Sequence, residues 1–230
     1  MFPPRERWNP RLHWTAPAGR LLDRVVAALP AEHSWEIIVF GSAPLQLGLD
    51  PGFVSGDVDV IADLTIEAFL GSARLLKEQS PFYVELCQPH VFAAAADWRH
   101  RAHAEMRRHV RFLFPHPIDI LTSKVCRMVE KDFAAFRLVR TLTGHPTPEE
   151  MIHALRGAVD IYRPSFDGEE RGDTIANTEL LWREIFGAEI DVREQIIRPA
   201  IAERSRFFDQ TVGNSLKERL RQIGERDEPR

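Results

Sequence analysis

The sequence predicts an α+β protein, with a small mixed β-sheet carrying acidic residues at its edge and an all-helical half behind it. Three observations carry this expectation. Short β-branched and aromatic runs alternate with helical patterns up to about Thr122. Beyond Thr122 the apolar residues recur at helical spacing throughout. Gly- and Pro-rich stretches fall between the runs rather than inside them. These place an α+β unit over 1–122, with an irregular arm at 1–16, and a helical unit over 123–230.

The elements follow in order. The arm is rich in Pro, Arg and Trp and has no period. From Ala18 to Leu29, the residues Leu21, Leu22, Val25, Val26 and Leu29 mark a helix that Pro30 ends. Trp35–Phe40 reads as a buried strand, Ala43–Leu47 as a helical turn or two, and Asp57–Ile61 as a second strand after a loop containing Gly48, Pro51, Gly52 and Gly56. Residues 66–79 read as an amphipathic helix with Ile66, Phe69, Leu70, Ala73 and Leu76 on one face, and strands are expected at 82–87 and Val91–Ala95. His109–Phe114 and Pro117–Leu121 are two further β-like runs. Ser123–Leu142 reads as one long helix with Gly144 as its C-cap, and Pro148 opens another. A polar loop over 164–173 and helices over 177–186, 191–204 and 205–222 complete the chain, before a charged tail at 225–230. The aromatic residues of this half, such as Trp182, Phe186, Phe207 and Phe208, are explained by core packing.

Composition narrows the function classes. Hydrophobic residues are 44% and charged residues 28%, and 30 basic against 34 acidic residues give a net charge of −4. That balance argues against a general nucleic-acid coat protein, which needs a basic excess. Two cysteines, Cys87 and Cys126, with no CxxC pair, predict reduced thiols rather than a disulfide framework or a zinc–cysteine site. The first residues lack the apolar core of a signal peptide, and no stretch of about 18 apolar residues occurs. A cytoplasmic protein with no membrane partner is expected.

The strongest local signal is Phe40-Gly41-Ser42, a fourteen-residue spacer, and then Asp57-Val58-Asp59-Val60. Gly41 follows a buried strand, where the chain must turn sharply, and positive φ costs glycine little. Ser42 would head a short helix and offer its hydroxyl to phosphate oxygens. Asp57 and Asp59 lie two apart on a strand, so they share a face while Val58 and Val60 enter the core. Two crowded carboxylates repel unless a cation lies between them, and hard ions such as Mg²⁺ or Mn²⁺ suit oxygen ligands and bind phosphates. Asp119, between Ile118 and Ile120 in a β-like run, is the third candidate acid. An unpaired carboxylate on a hydrophobic strand is costly to bury. If that strand lay beside the first pair, three acids would converge as a metal site.

This pattern resembles the DNA polymerase beta-type nucleotidyltransferase superfamily. The resemblance rests on Gly41, Ser42, Asp57, Asp59 and Asp119, and it departs from the family in a longer spacer, absorbed by the loop 48–56. Downstream, Asp119-Ile-Leu-Thr-Ser-Lys124 followed by Glu130-Lys131-Asp132 is similar to small bacterial nucleotidyltransferases of the type IV toxin and abortive-infection kind. The resemblance implies transfer of a nucleoside monophosphate from a nucleoside triphosphate such as ATP. Asp57, Asp59 and Asp119 would be the catalytic and metal-binding residues, and Gly41, Ser42, Lys124, Lys131 and Asp132 would bind the nucleotide. It leaves the acceptor open between tRNA, a protein and a small molecule, and it implies an antitoxin partner if the toxin likeness holds.

Plainer readings stand beside these. Lys124 and Lys131 fall seven apart and also fit a solvated helix face. The basic run Trp98–Arg111, with His100, His103 and His109, reads as a solvated strand edge rather than an RNA or zinc site. The alternative to an active enzyme is a nucleotide- or partner-binding module on the same fold that has lost turnover.

Overall fold

The computed structural model describes residues 6–163 and 172–206. The expected loop lies outside them over 164–171, as do the expected last helix from 207 onward, Phe207, Phe208 and the charged tail. The mixed α+β architecture is as the sequence predicts. Residues 6–16 carry no helix or strand, but Trp8 is fully buried and its backbone N–H donates to the Arg101 carbonyl at 2.8 Å. Helix α1 (Pro17–Ala28) starts on a proline, which needs no N–H partner there, and buries Leu21, Leu22, Val25 and Val26. Each such side chain contributes about 1.5–3 kcal/mol.

Five strands form one mixed sheet: β1 (Trp35–Phe40), β2 (Val58–Ile61), β3 (Val84–Leu86), β4 (His103–Arg107) and β5 (Val110–Phe114). Their order is β3-β2-β1-β5-β4, with β1 antiparallel to β2 and parallel to β5. β2 runs parallel to β3, and β4 antiparallel to β5. Alternation sends Ile37, Val39, Val58, Val60, Val84 and Phe112 to one face, where they pack with α1 and with Ile66 and Leu70 of α3 (Ile66–Ser72). The opposite face carries Ile38, Phe40, Asp59 and Glu85. Phe92 covers Phe40 with ring centroids 5.4 Å apart, and Trp98, at the start of the short helix α4 (Trp98–Arg101), packs edge-on against Phe92 at 5.2 Å. β4 is an edge strand, as the basic run suggests. Arg107 pairs there with Asp23 at 2.8 Å, and Arg99 and Arg111 pair with Glu36 at 2.9 and 2.7 Å.

A second hydrophobic cluster joins Leu45 of α2 (Ala43–Gly48) to Ile120, Phe136, Leu155, Leu181 and Ile196. Its helices are α5 (Pro117–Lys124), α6 (Glu130–Thr143), α7 (Pro148–Gly157), α8 (Thr174–Leu181) and a helical segment over 192–206. α8 continues in π geometry through Trp182–Phe186, and Arg193–Ile197 is also π.

Four expectations need correction. Residues 117–121 are helical, not extended: Pro117 occupies the first helical turn and His116 Nδ1 accepts the Ile118 N–H at 3.1 Å. Ile118, Asp119, Ile120 and Leu121 are all buried, so the run is enclosed on every side and its apolar residues show no helical period. The single helix over 123–142 is two helices. The chain breaks after Lys124, with Met128 at φ 46°, and Asp132 restarts it by accepting the Val129 N–H at 3.1 Å. The helix expected over 66–79 stops at Ser72, where Arg74 turns at φ 55° and Leu76 bridges to Val84 instead. The strand expected at Val91–Ala95 is a 3₁₀ turn, Pro89–Val91, followed by irregular chain. Gly144 caps α6 at φ 75°, as expected.

Candidate functional site

The site is built on the open face of the sheet at the end of β1. There Gly41 turns the chain at φ 69° and Ser42 leads into α2. Strand register sets the rest. Phe40 is opposite Asp59 and Asp59 is opposite Glu85, so these three share one face across three adjacent strands. Asp57, just ahead of β2, joins them. Carboxylate oxygens of Asp57, Asp59 and Glu85 all lie within 4.8 Å of one another. Gly41 is what lets Asp59 sit so close, because a Cβ there would lie 2.0 Å from Asp59 Oδ2.

Crowding leaves a mark on ionisation. Burial pushes the Asp59 pKa up to about 6, the charges of Asp57 and Glu85 push in the same direction, and Lys131 and Lys124 pull against them. Burial, with Asp59 and Glu85 nearby, likewise drives the Cys87 thiol up to about 12, so it is not a thiolate at neutral pH. The donor set is three carboxylates and no soft ligand, which fits a hard divalent cation such as Mg²⁺ or Mn²⁺.

These acids form one wall of a cleft of about 580 Å³. The other wall comes from α5 and α6. Lys124, almost fully buried, donates from Nζ to Asp132 Oδ1 at 2.8 Å and to Ser42 Oγ at 3.3 Å. Arg127 adds bonds to Asp132 at 3.2 and 3.3 Å. Burial alone would raise the Asp132 pKa, but the Arg127 and Lys124 hydrogen bonds outweigh it and hold the carboxyl below its usual range. Lys131 also lines the cleft. An acidic wall thus faces a basic one across a gap that Ser42 borders.

Gly41, Ser42, Asp57, Asp59, Lys124, Lys131 and Asp132 are therefore brought together. Asp119 is not. It sits in α5, 1% exposed, and Arg101 holds it at both oxygens, Nε to Oδ2 at 3.1 Å and Nη2 to Oδ1 at 2.7 Å. Arg101 also reaches Asp97 at 2.8 Å. Asp119 lines no part of the cleft, and the third carboxylate beside Asp57 and Asp59 is that of Glu85. The sequence carried the signal for Glu85, an acid between Val84 and Leu86 on an expected strand. It is the same alternation that the sequence shows around Asp119.

Residues 20–138 match the family described as nucleotidyltransferase of unknown function (DUF6036), which is more than half of the chain. The chain belongs to that nucleotidyltransferase family. The matched region runs from α1 into α6, so the family segment holds every cleft residue named above. α7 and the helical segments after it lie beyond the match. No curated protein and no solved structure matches the chain. Among the described residues, no helix is long and apolar enough to cross a membrane.

Proposed function

We propose that the protein moves a nucleoside monophosphate from a nucleoside triphosphate to an acceptor hydroxyl. Asp57, Asp59 and Glu85 would hold the divalent cation, Mg²⁺ or Mn²⁺. The observation that carries this reading is the convergence of three carboxylates beside the Gly41–Ser42 turn, opposite Lys124, in a chain of a nucleotidyltransferase family. A cation bound there supplies charge neutralisation for the triphosphate and polarises its phosphoryl oxygens. The chain's own residues do the remainder. Ser42 and Lys124 bind phosphate oxygens, and the hydrogen bond to Asp132 holds the Lys124 Nζ in position. Lys131 offsets charge at the open side of the cleft. In the transfer, the acceptor oxygen forms a bond to the α-phosphorus as the bond to the bridging oxygen of the β-phosphate breaks, and pyrophosphate leaves with that electron pair. The hydroxyl proton passes to Glu85, whose 38% exposed side chain returns it to water. Glu85 suits this task and Asp119 does not, because the Asp119 oxygens are occupied by Arg101.

On this reading, residues 1–122 form a unit that supplies the acids, and 123–230 a helical unit that supplies Lys124, Lys131 and Asp132. The Gly41-Ser42/Asp57-x-Asp59 order at the ends of paired strands supports the DNA polymerase beta-type assignment. A toxin role with an antitoxin partner would follow if the acceptor is a tRNA or protein whose labelling stops growth. The test is incubation with each α-labelled nucleoside triphosphate, Mg²⁺ and a total cell extract. Label transfer with pyrophosphate release is expected from the parent and not from Asp59→Asn. A parent that labels nothing with any nucleotide, or an Asp59→Asn variant as active as the parent, overturns the reading.

A further inference from the structure

Helix α5 carries Lys124 to the cleft, and it is gripped by polar contacts that the transfer reaction does not use. Asp119 stands in the first turn of α5 and Lys124 in its last. At 3.6 residues per turn the two lie about 140° apart around the axis, so Lys124 enters the cleft wall while Asp119 stays out of it. Ser123 follows Asp119 by four residues and shares its side of the helix. One stretch of chain holds both. Arg101 donates to the two Asp119 oxygens at 3.1 and 2.7 Å, and the Ala93 backbone N–H donates to Ser123 Oγ at 3.2 Å. Arg101 is itself fixed: its Nη1 reaches Asp97 Oδ2 at 2.8 Å, and its carbonyl accepts the Trp8 N–H at 2.8 Å.

A buried ion pair is a costly way to hold a helix. Both charges must leave water, and an apolar pair of similar volume often serves the fold as well or better. What an apolar pair lacks is direction. Ile120 and Leu121 bury α5 in the second hydrophobic cluster, but burial of that kind is non-directional and tolerates sliding and rotation. A two-bond fork between a guanidinium and a carboxylate does not. Side-chain tips lie about 5–6 Å from a helix axis, so a rotation of about 20° would shift Lys124 Nζ by about 2 Å. That shift is enough to break its bonds to Ser42 Oγ at 3.3 Å and Asp132 Oδ1 at 2.8 Å.

We propose that Arg101 and Asp119 are positioning residues: their paired hydrogen bonds fix α5 along and about its axis so that Lys124 meets the triphosphate, and neither residue touches the metal or the nucleotide. The inference rests on the transfer reaction proposed above. It gives Arg101, from the basic run after Trp98, a task at the cleft that it performs only through α5.

The test replaces the whole pair by apolar residues, Arg101→Met with Asp119→Leu, and uses Asp119→Asn as a milder second variant. The probes are Mn²⁺ alone, a nucleoside triphosphate with Mn²⁺, and thermal melting. The double replacement is expected to melt near the parent and to bind Mn²⁺ within about twofold of it, yet to bind the metal–nucleotide about tenfold or more weakly. Asp119→Asn should show a smaller loss in the same direction. Lys124→Gln should weaken metal–nucleotide binding in the parent and add little in the double replacement, because a misplaced lysine no longer reaches the phosphate. Parental nucleotide affinity in the double replacement, or in folded Asp119→Asn should the double replacement fail to fold, would leave the pair a purely structural role and overturn the inference while the transfer reaction stands. A Lys124→Gln loss as large in the double replacement as in the parent would overturn it as well, since the pair would then not act through Lys124. Loss of Mn²⁺ binding on replacing the pair would overturn it by placing Asp119 at the metal. A parent that binds no nucleoside triphosphate with Mn²⁺ would overturn the transfer reading and this inference with it.

Discussion

Gly41→Ala should separate the stability of this fold from the competence of its site. Gly41 has φ 69°, and a methyl there would sit 2.0 Å from Asp59 Oδ2, 3.1 Å from its Cγ and 3.5 Å from its Cβ. The left-handed conformation costs a non-glycine residue about 1–2 kcal/mol. The clash itself adds little to that, because the crowded atom is the end of a side chain that can rotate away. Relief requires the carboxylate oxygen to retreat by about 1 Å to reach the 3.0 Å that Cβ contacts respect. A misplacement of that size at a reacting centre costs about 10²-fold. The expected result is a modest fall in the urea midpoint, matching 1–2 kcal/mol, with about 10²-fold loss of nucleotidyl transfer and weakened Mn²⁺ binding by calorimetry. Gly56→Ala is the control, since a Cβ there meets nothing within 4 Å, and it should change neither. A Gly41→Ala variant with parental Mn²⁺ affinity would refute the claim that this glycine exists to admit the Asp59 carboxylate.

Two further outcomes concern the buried charges around α5. Asp119→Ala leaves the Arg101 guanidinium, whose side chain is 11% exposed, without its main partner, and should cost about 3–5 kcal/mol in urea denaturation; a loss under about 1 kcal/mol would show that the pair contributes little. His116 is 3% exposed, and burial, followed by the charges of Arg101 and His145, lowers its pKa from 6.5 to about 4. The unfolded chain then takes up a proton near pH 6.5 that the folded protein refuses until about pH 4. This stability is fully present above pH 6.5 and is lost as pH falls through that window, by about 3 kcal/mol in all. His116→Asn keeps a capping oxygen for Ile118 and should flatten that part of the pH–stability curve; an unchanged curve would contradict the assignment.

Local pattern made much of the site legible. A buried run ending in Gly-Ser and an Asp-x-Asp between valines locate β1, the turn and β2 because each follows from backbone geometry and period alone. Asp119 and Glu85 show where that reasoning ends. Both are acids between apolar residues, and only pairing decides which one reaches Asp59. Glu85 does so through the β2–β3 register, a non-local fact. Asp119 lies in a run buried on all sides, which has no usable period, and Pro117 with His116 starts a helix there. The Lys124–Asp132 contact was hidden for a related reason. A continuous helix would carry Lys124 and Lys131 on one face, whereas the break near Met128 folds α6 back so that Asp132 meets Lys124.

In the proposed mechanism Asp57, Asp59 and Glu85, and not Asp119, hold the divalent cation that carries the nucleotide. Calorimetric titration of Mn²⁺ into the parent, Glu85→Gln and Asp119→Asn, with circular dichroism to confirm folding, tests it most directly. Glu85→Gln should bind Mn²⁺ about tenfold or more weakly than the parent, since one of three charged ligands is neutralised, while folded Asp119→Asn should bind within about twofold of it. Parental affinity in Glu85→Gln together with lost affinity in folded Asp119→Asn would contradict the claim.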